Sequence, residues 1–158
     1  MNTDYSTLDI EARAEQAVSY FKSGYNCAQS VYMAYADLFG MDPKTAARIA
    51  APLGAGMGRM REICGTVSGA ALIAGLVIPC DNPNDMASKT HCYALVQKVA
   101  DRFRQENGSI ICRELLGIAP MKESPVPSPR TEAYYKKRPC VELVRMSATF
   151  IGEELKKL

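Results

Sequence analysis

The residues best equipped for chemistry in this sequence are six cysteines, at positions 27, 64, 80, 92, 112 and 140. No two of them form a CxxC pair. That spacing sets aside a thioredoxin-like dithiol and a zinc knuckle, which depend on close pairs, and covalent c-type haem, which needs CxxCH. Cys64 has the most distinctive surroundings. The stretch GAGMGRMREICGTVSGA, residues 54–70, places it between a glycine-rich approach and a run of very small residues, with Arg59 and Arg61 just before it. The thiolate is the nucleophile and the metal ligand, and helix N-termini and cations favour it. Free cysteine is also among the most buried residue types, so simple packing is the competing reading.

Helical periodicity dominates the elements that must position these thiols, and no segment shows sustained strand alternation. Residues 9–22 put Ile10, Ala14, Ala17, Val18 and Phe21 on one face before Gly24 stops the helix. Asn26 is a good N-cap for a second helix that ends at Gly40, and Asp42 with Pro43 signals a short third helix to about Ala51. The glycines at 54, 56 and 58 follow; no strand precedes them and GxGxG is not GxGxxG, so they read as a structural turn rather than a nucleotide site. A fourth helix is expected from about Met60 to Ile78, with Gly65 and Gly69 one turn apart to admit a close neighbour. Residues 63–80 carry no charge, yet they are rich in Gly, Ala, Ser and Thr and closed by Pro79 and Asp81. A buried central helix is therefore favoured over a membrane span. A long amphipathic helix to about Glu106, a short one capped by Ser109, and a last one opened by Pro139 complete the chain. The stretch APMKESPVPSPR, with four prolines, reads as an extended surface connection. The expected architecture is a single all-α domain over residues 1–158: a multi-helix bundle with a small-residue-rich central helix and a proline-rich loop before the last helix.

On these elements Cys27, Cys64, Cys112 and Cys140 fall near helix starts, where free N–H groups and the positive end of the dipole favour a thiolate. Cations stand close in sequence to three of them: Arg59 and Arg61, Arg113, and the cluster at residues 136–138. Cys80 instead follows a helix end, and Cys92 lies in the body of the long helix. This set resembles the C_GCAxxG_C_C family of small redox-active proteins, which have four characteristic cysteines and a CGAxxG motif. The matching pieces are Cys27 in GYNCAQSV, CGTVSG from Cys64, Cys112 in GSIICRELLG and Cys140 in RPCVELV, together spanning most of the chain. Thr66 replaces the motif's alanine, and its hydroxyl is expected to bond back to the preceding helical turn. Cys80 and Cys92 lie outside the pattern and are expected to be dispensable for the main chemistry.

Several functions are excluded or weakened by composition. The chain of 158 residues has 47% hydrophobic and 23% charged residues, and 19 Lys and Arg against 17 Asp and Glu give a net charge of +2. With no long basic run, nucleic-acid binding has little electrostatic support. The polar, acidic N-terminus lacks signal-peptide character, so a cytoplasmic protein is expected, and stable structural disulfides are rare in that compartment. The resemblance favours thiol–disulfide exchange or electron transfer through Cys27, Cys64, Cys112 and Cys140, with a redox partner protein or a small thiol or disulfide as substrate and no cofactor. An enzyme of this kind would be a thiol–disulfide oxidoreductase. The same four thiolates could instead ligate zinc or an iron–sulfur cluster. The third reading is a helical interaction module with structural cysteines. Either chemical reading requires Cys64 to have at least one of the other three within disulfide or shared-metal reach. The dipole and arginine argument further expects Cys64 to alkylate faster than an ordinary thiol near pH 7. His91, the one histidine, reads as solvated or packing.

Overall fold

A computed structural model describes residues 3–158. Asp9 opens α1 (Ile10–Lys22) by accepting the Ala12 amide at 3.0 Å, and Ala14, Ala17, Val18 and Phe21 form its buried face, as the periodicity requires. Asn26 opens α2 (Cys27–Ala36) with a reciprocal capping box to Gln29. Eight of the ten residues of α2 are buried, and the Tyr35 hydroxyl donates to the Ala148 carbonyl at 2.7 Å. Asp42 and Pro43 start α3 (Pro43–Ala50). The remaining helices are α4 (Gly65–Val77), α5 (Met86–Asn107), α6 (Cys112–Leu116), α7 (Glu132–Lys137) and α8 (Cys140–Leu155). The all-helical bundle expected from the sequence is the fold observed, and no named strand occurs among the described residues.

The small-residue helix α4 packs against α2, α5 and α8, and it shares the interior with α2. A Cβ on Gly69 would lie 2.8 Å from the Ala28 carbonyl oxygen and 3.1 Å from Val31 Cβ, so this glycine sets how closely α2 and α4 approach. No helix among the described residues is long and apolar enough to cross a membrane.

Three boundaries differ from expectation. First, α4 begins at Gly65, not near Met60. Ala55, Gly56, Met57, Gly58 and Arg59 all have positive φ, as does Arg61, and this left-handed turn cannot feed a right-handed helix. Each of its four non-glycine residues costs about 1–2 kcal/mol in such a conformation. Second, Ser109 does not cap α6: its hydroxyl accepts the Ile111 amide at 2.9 Å, and the helix begins at Cys112. An isolated antiparallel bridge between Ile63 and Ile111 fixes that start, with Cys64 N donating to Ile110 O (2.7 Å) and Cys112 N to Glu62 O (2.6 Å). Third, α7 was not expected, and Pro139 is the N-cap of α8 rather than its first residue.

Candidate functional site

Cys27, Cys64, Cys112 and Cys140 line one cavity of about 320 Å³. Each comes from a different element: Cys27 is the first residue of α2, Cys64 the N-cap of α4, Cys112 the first residue of α6, and Cys140 the first residue of α8. The Ile63–Ile111 bridge explains two of these placements. In an antiparallel pair alternate residues share a face, so Cys64 and Cys112, one step from Ile63 and Ile111, lie on the same side of it. Apolar walls come from Phe21, Leu115, Tyr134 and Leu143. Cys64 is 5% and Cys112 8% exposed, whereas Cys27 and Cys140 are half-buried.

The surroundings of Cys64 differ from those the sequence suggested. Neither Arg59 nor Arg61 hydrogen-bonds it; its Sγ lies 3.1 Å from the Thr66 hydroxyl, which also receives a hydrogen bond from Ser147 of α8 at 2.9 Å. Thr66 therefore does not bond back along its helix; it links the thiol to α8. Burial pushes the Cys64 thiol up to about 12, with the neighbouring Cys27 adding to the rise and Thr66 opposing it. Burial likewise pushes Cys140 up to about 11, again reinforced by Cys27, while Arg138 pulls it down. Desolvation thus opposes helix ends and cations at Cys64, and it argues against the rapid alkylation near neutral pH that the sequence suggests. A pH dependence follows from these directions. Above the ordinary thiol value of 9.0, the unfolded chain has released these protons while the folded chain still holds them. The folded state then binds more protons, so stability falls as pH rises from about 9, toward about 11 for Cys140 and about 12 for Cys64, at roughly 1.4 kcal/mol per pH unit for each thiol. Denaturant titrations of the reduced protein between pH 8 and 10.5 should show this decline, and Cys64→Ala should make it shallower.

Arg61 serves a different thiol. Arg61 is 2% exposed; its Nη1 donates to Cys112 Sγ at 3.7 Å, while Nε and Nη2 form a two-pronged pair with the carboxylate of Glu123. Arg61 holds the Glu123 carboxyl below the usual carboxylate range. Arg59 donates to Ser124 O at 2.9 Å and to Ser128 Oγ at 3.1 Å. Glu123, Ser124 and Ser128 all belong to the proline-rich segment, which is not merely a surface connection: Pro125, Pro127 and Ser128 form one wall of the cavity. Arg130 fastens its other end, donating to Phe21 O and Tyr25 O at 3.0 Å each and stacking 4.4 Å above the Phe21 ring. The left-handed turn that carries Arg59 and Arg61 is thus tied to a strap over the cysteines. Glu123 and Arg130 were not legible as site residues, because nothing local in a proline-rich stretch signals which distant groups it will cover.

Cys27 is packed against the start of α4. A Cβ on Gly65 would fall well inside the contact distance of Cys27 Sγ and 3.1 Å from Leu53 O, so only glycine fits beside Cys64 at this point. Burial pushes the Cys27 thiol up, opposed by the Ala55 amide from the left-handed turn. Gly65→Ala should therefore cost about 1–3 kcal/mol in denaturant unfolding and move the Cys27 thiol, which thiol-labelling rates at Cys27 would register.

Among the described residues, no three His, Cys, Asp or Glu side chains are grouped so as to hold a metal ion. Cys80 and Cys92 lie elsewhere, at the far end of α4 and on α5, and His91 is exposed on α5.

These features define a helical protein whose four first-turn and cap cysteines converge on one apolar cavity. The family described as "Putative redox-active protein (C_GCAxxG_C_C)" matches residues 25–154, and the chain belongs to that family. Its description supports a redox role in general terms. No curated protein and no solved structure matches the chain.

Proposed function

We propose that this protein is a thiol–disulfide oxidoreductase that works through Cys112 as the attacking thiol and Cys27 as the resolving thiol, on a small, largely apolar disulfide. The observation that carries this reading is the hydrogen bond from the buried Arg61 guanidinium to Cys112 Sγ, inside a cavity that all four cysteines line. A charged donor at a sulfur stabilises the sulfur anion, and such charge-assisted bonds are roughly twice as strong as neutral ones. Cys27 is the fitting second thiol because it opens α2, packs against the start of α4 beside Cys64, and lines the same cavity as Cys112. Its position is thus central to the set.

The electrons balance as follows. Cys112 thiolate attacks one sulfur of the substrate disulfide; a Cys112–substrate S–S bond forms, the substrate S–S bond breaks, and the departing thiolate takes a proton. Cys27, deprotonating, then attacks Cys112 Sγ, forming a Cys27–Cys112 disulfide and releasing the second substrate thiol. The substrate gains two electrons and two protons, and the protein loses them. A dithiol partner or a small thiol returns the protein to the reduced state. The test supplies the reduced full-length protein with bis(2-hydroxyethyl) disulfide and excess dithiothreitol, following mercaptoethanol release by chromatography, and treats Cys27→Ser with the disulfide alone before peptide mapping. Release above the uncatalysed rate, and a mercaptoethanol adduct on Cys112 in Cys27→Ser, are expected. No acceleration and no adduct on Cys112 would overturn the assignment.

A further inference from the structure

Cys80 and Cys92 sit at the opposite end of α4 from the cavity. The thirteen residues of α4 put about 20 Å between its ends at 1.5 Å per residue. Cys80 follows α4 after Pro79, and Cys92 lies in the second turn of α5, whose N-cap is Asp85. The Cys80 thiol donates to the Ser88 carbonyl at 3.3 Å and contacts the Ile78 carbonyl at 3.5 Å. Ser88 stands four residues before Cys92, so in an α-helix its carbonyl accepts the Cys92 amide, and the Cys92 side chain tilts back over that same carbonyl. The sulfur of Cys80 is therefore seated on the patch of α5 toward which Cys92 leans. Both residues are half-buried, so a small oxidant has access to them.

We propose that Cys80 and Cys92 are a second redox site, a dithiol that hydrogen peroxide closes to a disulfide clasping the end of α4 to α5, independent of the four-cysteine cavity. One thiol, as its thiolate, attacks a peroxide oxygen; the S–O bond forms, the O–O bond breaks, and the leaving hydroxide takes a proton to become water. The second thiol then attacks the sulfenic sulfur, forming the S–S bond as a second water leaves. Two thiols lose two electrons and two protons, and one peroxide becomes two waters. Burial and the Cys80 thiol both push Cys92 up, which suits a slow, stoichiometric closure rather than turnover. The closed form would staple the turn at residues 81–85.

Peptide mapping of the full-length protein tests this directly. After peroxide treatment and blocking of remaining thiols, trypsin cleavage at Arg61, Lys89 and Lys98 would leave residues 62–89 joined to residues 90–98, with fragment ions locating the bond at Cys80 rather than Cys64. Peroxide should also raise the thermal midpoint by about 5–10 °C in the native chain, a rise that Cys92→Ser abolishes. Recovery of Cys80 and Cys92 as separately blocked peptides, or a link from Cys92 to a cavity cysteine, would overturn the proposal. Because the readout is a mapped bond and a melting shift, it does not depend on turnover at Cys112.

Discussion

Replacing Cys112 by serine should lower reduction of a small disulfide by about 10³-fold or more while leaving the thermal midpoint nearly unchanged. Serine is close in size and still offers Arg61 an acceptor, so the Arg61–Glu123 pair and the strap remain in place. What is lost is the sulfur that receives the guanidinium bond. The comparison with Cys64→Ser and Cys140→Ser gives the assignment its edge. Their thiols are pushed up by burial, so each should retain far more turnover than Cys112→Ser. Equal losses at all four positions would instead point to a joint role such as cluster ligation, and would remove Cys112 from its special place.

Arg61→Met is expected to damage both stability and reactivity. The buried guanidinium bridges a sulfur on α6 and a carboxylate on the strap, so methionine fills the space but strands Glu123 with only Arg59, 3.4 Å away. Breaking a well-buried pair costs about 3–5 kcal/mol, and the partial exposure of Glu123 reduces this to roughly 2–3 kcal/mol. Alkylation of Cys112 at pH 7 should slow by about tenfold or more, since the charged donor to its sulfur is gone. The strap should also loosen, which limited trypsin digestion would detect as faster cleavage at Lys122. Arg61→Lys separates the two effects: it keeps the charge but not the two-pronged geometry, so it should recover reactivity at Cys112 better than it recovers strap protection. Unchanged alkylation in Arg61→Met would sink the role given to this arginine.

Apart from α7 and the starts of α4 and α6, the helices could be read from the sequence because their signals are local. Asp9, Asn26, Asp42 and Asp85 each accept an amide within their own first turn, and Gly108 ends α5 in the left-handed conformation, so a few neighbouring residues decide each boundary. The four cysteines were likewise identifiable as a set, by type, by position near helix starts, and by family resemblance. The partners of those cysteines were not. Arg59 and Arg61 stand next to Cys64 in sequence, yet the left-handed turn and the Ile63–Ile111 bridge turn them toward Cys112 and Glu123, residues more than fifty positions away. The same bridge, made by one residue pair, is too short to leave an alternating pattern. Desolvation was equally hidden: helix position argued for an acidic Cys64 thiol, while burial by the packing of α2, α4 and α8 pushes that thiol up. Local signals specified most of the helices and named the sulfurs, because capping and periodicity act over one or two turns. Tertiary structure alone decided which cation meets which sulfur and which thiol loses its water, because charge pairing and burial depend on distances that the chain closes only when folded.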